Sequence, residues 1–171
     1  MNGLPARYTR LGVDVGDARV GCARSDLDGM IATPVDTFPR ETAARQIAAY
    51  AIDEDARVIM LGLPKSLNGQ EGAAAQKARD FADELAAHLP SQRLKEGADD
   101  AIHLRFVDER LTTVSAHRAL TSSGRKMKKH RSVVDQVAAV MILQTALDQQ
   151  RATGELPGEL RRCADDPSRS A

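Results

Sequence analysis

The sequence predicts an α/β domain built on a mixed five-stranded sheet, three antiparallel strands followed by βα units, with helices on both faces. Three observations carry this expectation. Short extended stretches separated by tight turns open the chain, and from Arg40 onward helical stretches alternate with apolar runs. The run "RVIMLGLP" is apolar without alternation, as a parallel strand buried on both sides should be.

The first strand is "RLGVDVG", with Leu11, Val13 and Val15 on one face and Gly12, Asp14 and Gly16 on the other. Asp17 and Ala18 make a tight turn into "RVGCARSD", and "MIATPVDTF" reads as a third strand, completing an antiparallel meander. In "RETAARQIAAYAIDED" the apolar residues Ala43, Ala44, Ile47, Tyr50 and Ala51 recur at helical spacing. "RVIMLGLP" follows, then a longer helix in "QEGAAAQKARDFADELAAHL" with Ala75, Ala78, Phe81, Ala82, Leu85 and Leu89 inward. Beyond the polar loop "PSQRLKEGADD" come the strand "IHLRFVDE", a short helix from Thr113 to about Ser122, a basic loop, and a last helix from about Ser132 to Gln150. Residues 1–150 therefore form one domain. The stretch 151–171, rich in Gly, Pro, Asp, Ser and Arg, reads as a disordered tail.

Composition narrows the function classes. The 171 residues suffice for one ordinary domain with a real core. The 24 basic and 24 acidic residues cancel, so a nucleic-acid partner must be held by a local patch. With no Trp and 3% aromatics, base stacking on aromatic platforms is not the expected binding mode. No apolar stretch is long enough to span a bilayer and the first ten residues lack a signal-like apolar segment, so no membrane partner and a cytoplasmic location are expected. Cys22 in a strand and Cys163 in the tail do not form a metal or disulfide pattern; an oxidative cross-link between two chains through Cys163 is the one role left open.

Sites in such sheets form at the carboxyl ends of parallel strands, which here are Asp14-Val15-Gly16, Leu63-Pro64-Lys65 and Asp108-Glu109-Arg110. Asp14 has glycine at both same-face neighbours, which leaves clearance for a metal ion and a phosphate; equally, it could be a turn aspartate accepting backbone N–H groups. Asp108 and Glu109 point to opposite faces, so only one shares a face with Asp14, and Arg110 is the obvious partner for a strand-ending acid. Asp135 precedes Ala138, Ala139 and Ile142 on a face that must pack inward, although Ser132-x-x-Asp135 also resembles a capping box.

Just ahead lies the basic run "GRKMKKHR", with Arg125, Lys126, Lys128, Lys129 and Arg131. Five cations touching about five phosphates imply a slope of log affinity against log salt of roughly −4. The loop "LPKSLNGQEG" offers Lys65 and Asn68 as further backbone contacts, unless it is a plain surface turn. Three carboxylates from a first strand, a later strand and a final helix suit two divalent ions about 4 Å apart, the arrangement that hydrolyses phosphodiesters. Oxygen-only ligands favour Mg²⁺ or Mn²⁺.

Four ordered segments, "LGVDVGDARVGCARSD", "VIMLGLPKSLNGQEG", "FVDERLTT" and "VVDQVAAVMILQ", resemble the signature segments of the YqgF/RuvX family. Those are small RNase H-like nucleases related to the RuvC Holliday junction resolvase. The resemblance implies an RNase H-like fold and a metal-dependent nuclease that matures the 5′ end of pre-16S rRNA; some members are linked to resolving four-way DNA junctions. It implies catalytic and metal-binding roles for Asp14, Glu109 and Asp135, with Asp108 as a secondary candidate. Asp17, where the family usually has Thr or Ser, and "LPKSLNG", where it reads closer to "LPLNMDG", depart from the pattern and bear on substrate preference.

Two competing readings are weighed beside it. An actin-like or sugar-kinase phosphate-binding domain opens similarly but needs a second domain that 171 residues cannot supply. A non-catalytic nucleic-acid-binding module would keep the carboxylates as structure. RNA trimming needs one active site, so a monomer suffices, whereas resolving a symmetric junction needs two and hence at least a weak homodimer.

Overall fold

A computed structural model describes residues 4–90, 102–112 and 128–161, without the side chains of 128–135. Three strands come first, β1 (Thr9–Val15), β2 (Arg19–Ser25) and β3 (Ala32–Pro39), paired as an antiparallel meander. Helix α1 (Arg40–Asp53) leads to β4 (Ala56–Leu63), and α2 (Ala73–Ala87) precedes β5 (His103–Asp108). A 3-10 turn, Glu109–Leu111, closes β5, and α3 (Lys128–Thr153) runs on to a two-residue strand, β6 (Glu159–Leu160). The predicted helix at 113–122 and the basic positions Arg125 and Lys126 lie outside the described residues.

The sheet order is β3-β2-β1-β4-β5-β6. β1, β4 and β5 are parallel, with β4 central, and β6 is antiparallel to β5. The expected five strands are all present, and a sixth joins them. It comes from the stretch read as disordered, of which 151–161 are ordered and the remainder lies outside the described residues. A two-residue strand carries no periodicity to read. What holds it is polar: Arg105 donates to the carbonyl oxygens of Leu156, Pro157 and Gly158, and Arg161 donates to Asp83 at 2.8 Å. The pairing also covers the β5 edge, which would otherwise present unpaired backbone groups.

Two apolar layers sandwich the sheet. Leu11, Val13, Ile59, Leu61, Leu104 and Phe106 pack with α1 and α2 through Ile47, Phe81 and Leu85. Val58, Met60 and Val107 pack with α3 through Ala138, Ala139, Ile142, Leu143 and Leu147. The alternation seen in β1 thus sorts the residues of β4 and β5 as well, because each strand is buried on both sides. Cys22 is buried in β2, and burial pushes its thiol up to about 12, so it stays an inert core residue.

Helix α3 starts a full turn earlier than the sequence suggests. Lys128, Lys129 and Arg131, expected in a loop, are helical, and Ser132 lies inside the helix, so it cannot serve as its N-cap. Cations at a helix N-terminus oppose the dipole, which is why the sequence favours Ser132 as the start; the good helix propensity of Lys and Arg works the other way. With the cap gone, the capping explanation for Asp135 goes too. No described helix is long and apolar enough to cross a membrane.

Candidate nuclease site

The carboxyl ends of β1, β4 and β5 lie side by side, as the sequence predicts. Asp14 is near the end of β1 and only 1% exposed. It is not a turn residue: it sits opposite Gly21 of β2 inside the ladder. Its face is set by alternation. Leu11 and Val13 belong to the α1/α2 layer, while Gly12 faces α3, so Asp14 faces α3 as well.

At the end of β5 the same rule separates two neighbouring acids. Leu104 and Phe106 point to the α1/α2 layer and Asp108 follows them. Val107 points to α3 and Glu109 follows it, buried at 4% exposure. Asp108 is committed locally. Its carboxylate accepts the backbone N–H of Arg110 at 3.0 Å, capping the 3-10 turn, and it accepts from Arg110 Nε and Nη2, the shortest at 2.6 Å. The side-chain hydrogen bond from Arg110 holds the Asp108 carboxyl below its usual range. Glu109, not Asp108, is therefore the acid on Asp14's face.

Between them lies Gly62 of β4. The β1–β4 register pairs Val13 with Leu61, and one step further sets Asp14 alongside Gly62, which in turn pairs with Val107 of β5. A Cβ at Gly62 would stand 2.6 Å from Glu109 Oε1 and 2.5 Å from Ile142 Cδ1. Sequence reasoning missed this residue, because a glycine inside a continuous apolar run has no visible sidedness. Its one signal was the interruption of that run near the strand's carboxyl end.

The glycines that did attract notice serve other purposes. A Cβ at Gly12 would meet Leu143 Cβ at 2.6 Å and the Ala139 carbonyl oxygen at 2.7 Å, so that space is taken by α3. A Cβ at Gly16 would meet the Arg19 carbonyl oxygen at 2.6 Å, and Gly16 N–H donates to that oxygen across the hairpin turn at 2.9 Å. The expected open floor on both sides of Asp14 is thus filled by close packing, and the space above Gly62 is filled in the same way, by Glu109 Oε1 and Ile142 Cδ1.

The remaining candidates fall into three groups. Position 135 lies one turn before Ala138 and Ala139 and two before Ile142, all buried against the sheet, so its backbone is on the stripe of α3 that runs toward Asp14 and Glu109. Lys65, at the mouth of the β4–α2 loop, places its charge near Asp108 and Glu71. Asn68 is spent on the loop's own turn, its Oδ1 accepting from Ser66 Oγ and from the Gln70 N–H. Lys128, Lys129 and Arg131 share the first turns of α3.

Buried acids on one face repel one another, and a cation relieves both. The donors are carboxylate oxygens, which suit Mg²⁺ or Mn²⁺ rather than zinc. Among the described residues no third acid, His or Cys completes a cluster with Asp14 and Glu109.

Residues 8–149 match the family profile described as "RuvX: Holliday junction resolvase". The chain belongs to the RuvX family. A protein of Nocardioides sp. named "Putative pre-16S rRNA nuclease" is 50% identical over 157 residues, covering 88% of this chain and 94% of its own. Proteins with the same name from Streptomyces avermitilis and Clavibacter michiganensis are each 47% identical, covering 90% and 95% of this chain and 94% and 98% of their own. Among solved structures, Thermus thermophilus RuvC in complex with a Holliday junction superposes with a TM-score of 0.51 over 90% of this chain and 99% of that one, at 8% identity. The RuvX chain thus has the RNase H-like fold of RuvC, carried by the architecture alone at that identity.

Proposed function

We propose that this RuvX chain is a metal-dependent nuclease that hydrolyses phosphodiester bonds in maturing the 5′ end of pre-16S rRNA, acting in the cytoplasm as a monomer or weak homodimer. The observation that carries the reading is the burial of Asp14 and Glu109 on one face of the sheet's carboxyl edge, with Gly62 between them. An arrangement that sinks two like charges into an apolar layer is costly for a structural role and useful for a cationic one. The relatives' shared name supplies the substrate.

In this reading Asp14, Glu109 and Asp135 would hold the divalent cation. When bound, such ions activate a water and stabilise the leaving oxygen of a phosphodiester. Asp14 and Glu109, fixed in strand and 3-10 turn, keep their carboxylates in place without reorganisation. The apolar layer around Met60, Val107 and Ile142 limits bulk water beside them. Lys65, Arg125, Lys126, Lys128, Lys129 and Arg131 position the backbone without reading sequence. Asp108 holds the turn rather than the ion.

The alternative substrate, a four-way DNA junction, is favoured by the family description and the RuvC fold, and would require two sites and a dimer. The deciding experiment offers a structured 5′ leader of 16S precursor and a four-way junction side by side with Mg²⁺ or Mn²⁺, using Asp14→Asn as control. Cleavage of the RNA that the substitution removes is the expected result. Symmetric nicking of the junction alone would move the activity to recombination. Binding of both without cutting would make the carboxylates structural.

A further inference from the structure

Asp14 shares its face of the sheet with a cation that the fold leaves unspent. Gly21 stands directly opposite Asp14 across the β1–β2 ladder, and Arg19 lies two positions before Gly21 on the same strand. Val20 and Cys22, which alternate with them, belong to the α1/α2 layer. Arg19 and Gly21 therefore point to the α3 side, as Asp14 does. With no side chain at Gly21, Arg19 is the nearest side chain of β2 on that face. Diagonal neighbours of this kind have Cβ atoms about 7–8 Å apart, within reach of a long side chain.

Arg19 is half-buried, yet among the described residues its guanidinium has no hydrogen bond and no ion pair, with Asp14 or any other acid. The other described arginines, apart from Arg45 on the exposed face of α1, are committed. Most grip a carboxylate, as Arg40 grips Glu84 and Arg79 grips Glu71, while Arg10 and Arg105 bond to carbonyl oxygens. Asp17, two residues before Arg19, is itself taken by Lys77. On the other side, β3 sets Pro39 opposite Arg19 and Thr37 opposite Gly21, so no acid faces it from there. A guanidinium partly withdrawn from water without an anion is costly, and its planar donors match two oxygens of a phosphate.

The main chain beside it is fixed. Gly16 N–H donates to the Arg19 carbonyl oxygen at 2.9 Å, and Arg40 N–H donates to that of Ala18 at 3.0 Å. The side chain thus leaves from a fastened hairpin, and little backbone order has to be gained on binding. We propose that Arg19 is a substrate-binding residue: its guanidinium takes the nonbridging oxygens of a backbone phosphate at the carboxyl edge of β1, beside the buried acids. This deepens the nuclease reading and rests on it for the identity of the substrate. The contact reads charge and geometry, not base sequence.

The test titrates the 5′ leader RNA at several salt concentrations without divalent ions, using wild type, Arg19→Gln, Arg19→Lys and Arg45→Gln. Arg19→Gln should raise Kd about 10-fold near 0.1 M salt and lower the slope of log affinity against log salt by about one. Arg19→Lys should keep the slope, because the charge remains. It should recover only part of the affinity, because an ammonium does not bridge two oxygens. Arg45→Gln, on the outer face of α1, should change neither quantity. An unchanged slope in Arg19→Gln, an equal loss in Arg45→Gln, or a wild type that binds no RNA overturns the proposal. Should Arg19→Gln fail to fold in a thermal melt, Arg19→Lys carries the test, and affinity equal to wild type overturns it. Cleavage with Mg²⁺ keeps the two readings apart. Wild type and Arg19→Gln that bind and cut alike sink this proposal and spare the nuclease reading. A wild type that cuts nothing, with the slope still reduced in Arg19→Gln, does the reverse.

Discussion

Asp108 and Glu109 are neighbours in the chain and occupy opposite sides of the sheet. On the α1/α2 side the acids at the carboxyl edge have basic partners. Asp108 pairs with Arg110, Glu71 with Arg79 at 2.6 Å, and Asp17 with Lys77 at 2.5 Å. On the α3 side Asp14 and Glu109 are sunk into the apolar layer. Strand alternation has sorted the carboxylates into exposed ones that hold the loops and a buried pair to which the proposed function gives the cation. Motif similarity treats "DER" as one unit; the pleat divides it.

The division is sharpest in activity. Asp14→Asn and Glu109→Gln should each abolish cleavage, by more than roughly the 100-fold that losing a supporting residue costs at a metal site. Neither should unfold the protein, because each replaces a buried carboxylate with an amide of the same shape and keeps the packing. Steady-state cleavage with Mg²⁺ or Mn²⁺, paired with thermal melts, checks both halves. A melting temperature that collapses in either variant would turn these acids into structural residues and erase the contrast between the two faces.

The glycines come next in size. Gly62→Ala pushes a methyl group onto Glu109 Oε1 and Ile142 Cδ1, whereas Gly12→Ala pushes one onto Leu143 Cβ and the Ala139 backbone. Overpacking of this kind costs about 1–3 kcal/mol. Both variants should therefore melt earlier, with Gly12→Ala hit at least as hard because a helix backbone cannot turn aside as a side chain can. They should part in metal dependence. Gly62→Ala moves Glu109 and should raise the Mn²⁺ concentration for half-maximal cleavage; Gly12→Ala should leave it unchanged in the folded fraction.

These two glycines also show how far the sequence could be read. In β1 the alternation of "LGVDV" places Gly12 and Asp14 on one face, and the structure has both on the α3 side of the sheet. The purpose of Gly12 could not be read, because which atoms fill the space above a glycine depends on a helix more than a hundred residues away. In β4 the apolar run told the strand's environment and concealed its two sides. The opposite orientations of Asp108 and Glu109 needed only the period of two, and the meander, α1, β4, α2 and β5 all followed from periodicity. The end of the chain did not. Arg105 bonding to three carbonyl oxygens leaves no mark in side-chain chemistry, so β6 was invisible. The start of α3 was misplaced because a plausible cap at Ser132 outweighed a basic turn before it.

Asp108→Asn separates the two faces by pH. Arg110 lowers the folded carboxyl of Asp108 below its unfolded value, near 3.9. The stabilisation is therefore present at pH above the unfolded value and is lost as pH falls through the lower folded one. The variant should lack that share of acid unfolding. Its melting temperature at pH 7 should drop, and the gap to wild type should close on acidification below about pH 4. At neutral pH cleavage should persist at a reduced rate, since the turn carrying Glu109 loses a cap and not a ligand. Loss of activity as complete as in Glu109→Gln would mean that Asp108 also meets the cation.

The smallest effect is expected at Asp17, although the resemblance to the family marks it as a departure. Its carboxylate is held below the usual range by the hydrogen bond from Lys77, yet both groups are well exposed. Water screens such a pair, and ordering two flexible side chains offsets much of what remains. Asp17→Thr should leave the melting temperature unchanged within error at 0.15 M salt, where screening reaches across about 8 Å. The informative readout is substrate choice. Asp17 sits in the β1–β2 turn, three residues beyond Asp14, where a negative charge faces any phosphate approaching that end of the strand. Removing it should tighten RNA binding and steepen its salt dependence slightly, with turnover at saturation unaltered. An unchanged affinity would show that the RNA passes the other side of Asp14, between β1 and α3, and would confine the contacting surface to the face that holds the buried acids.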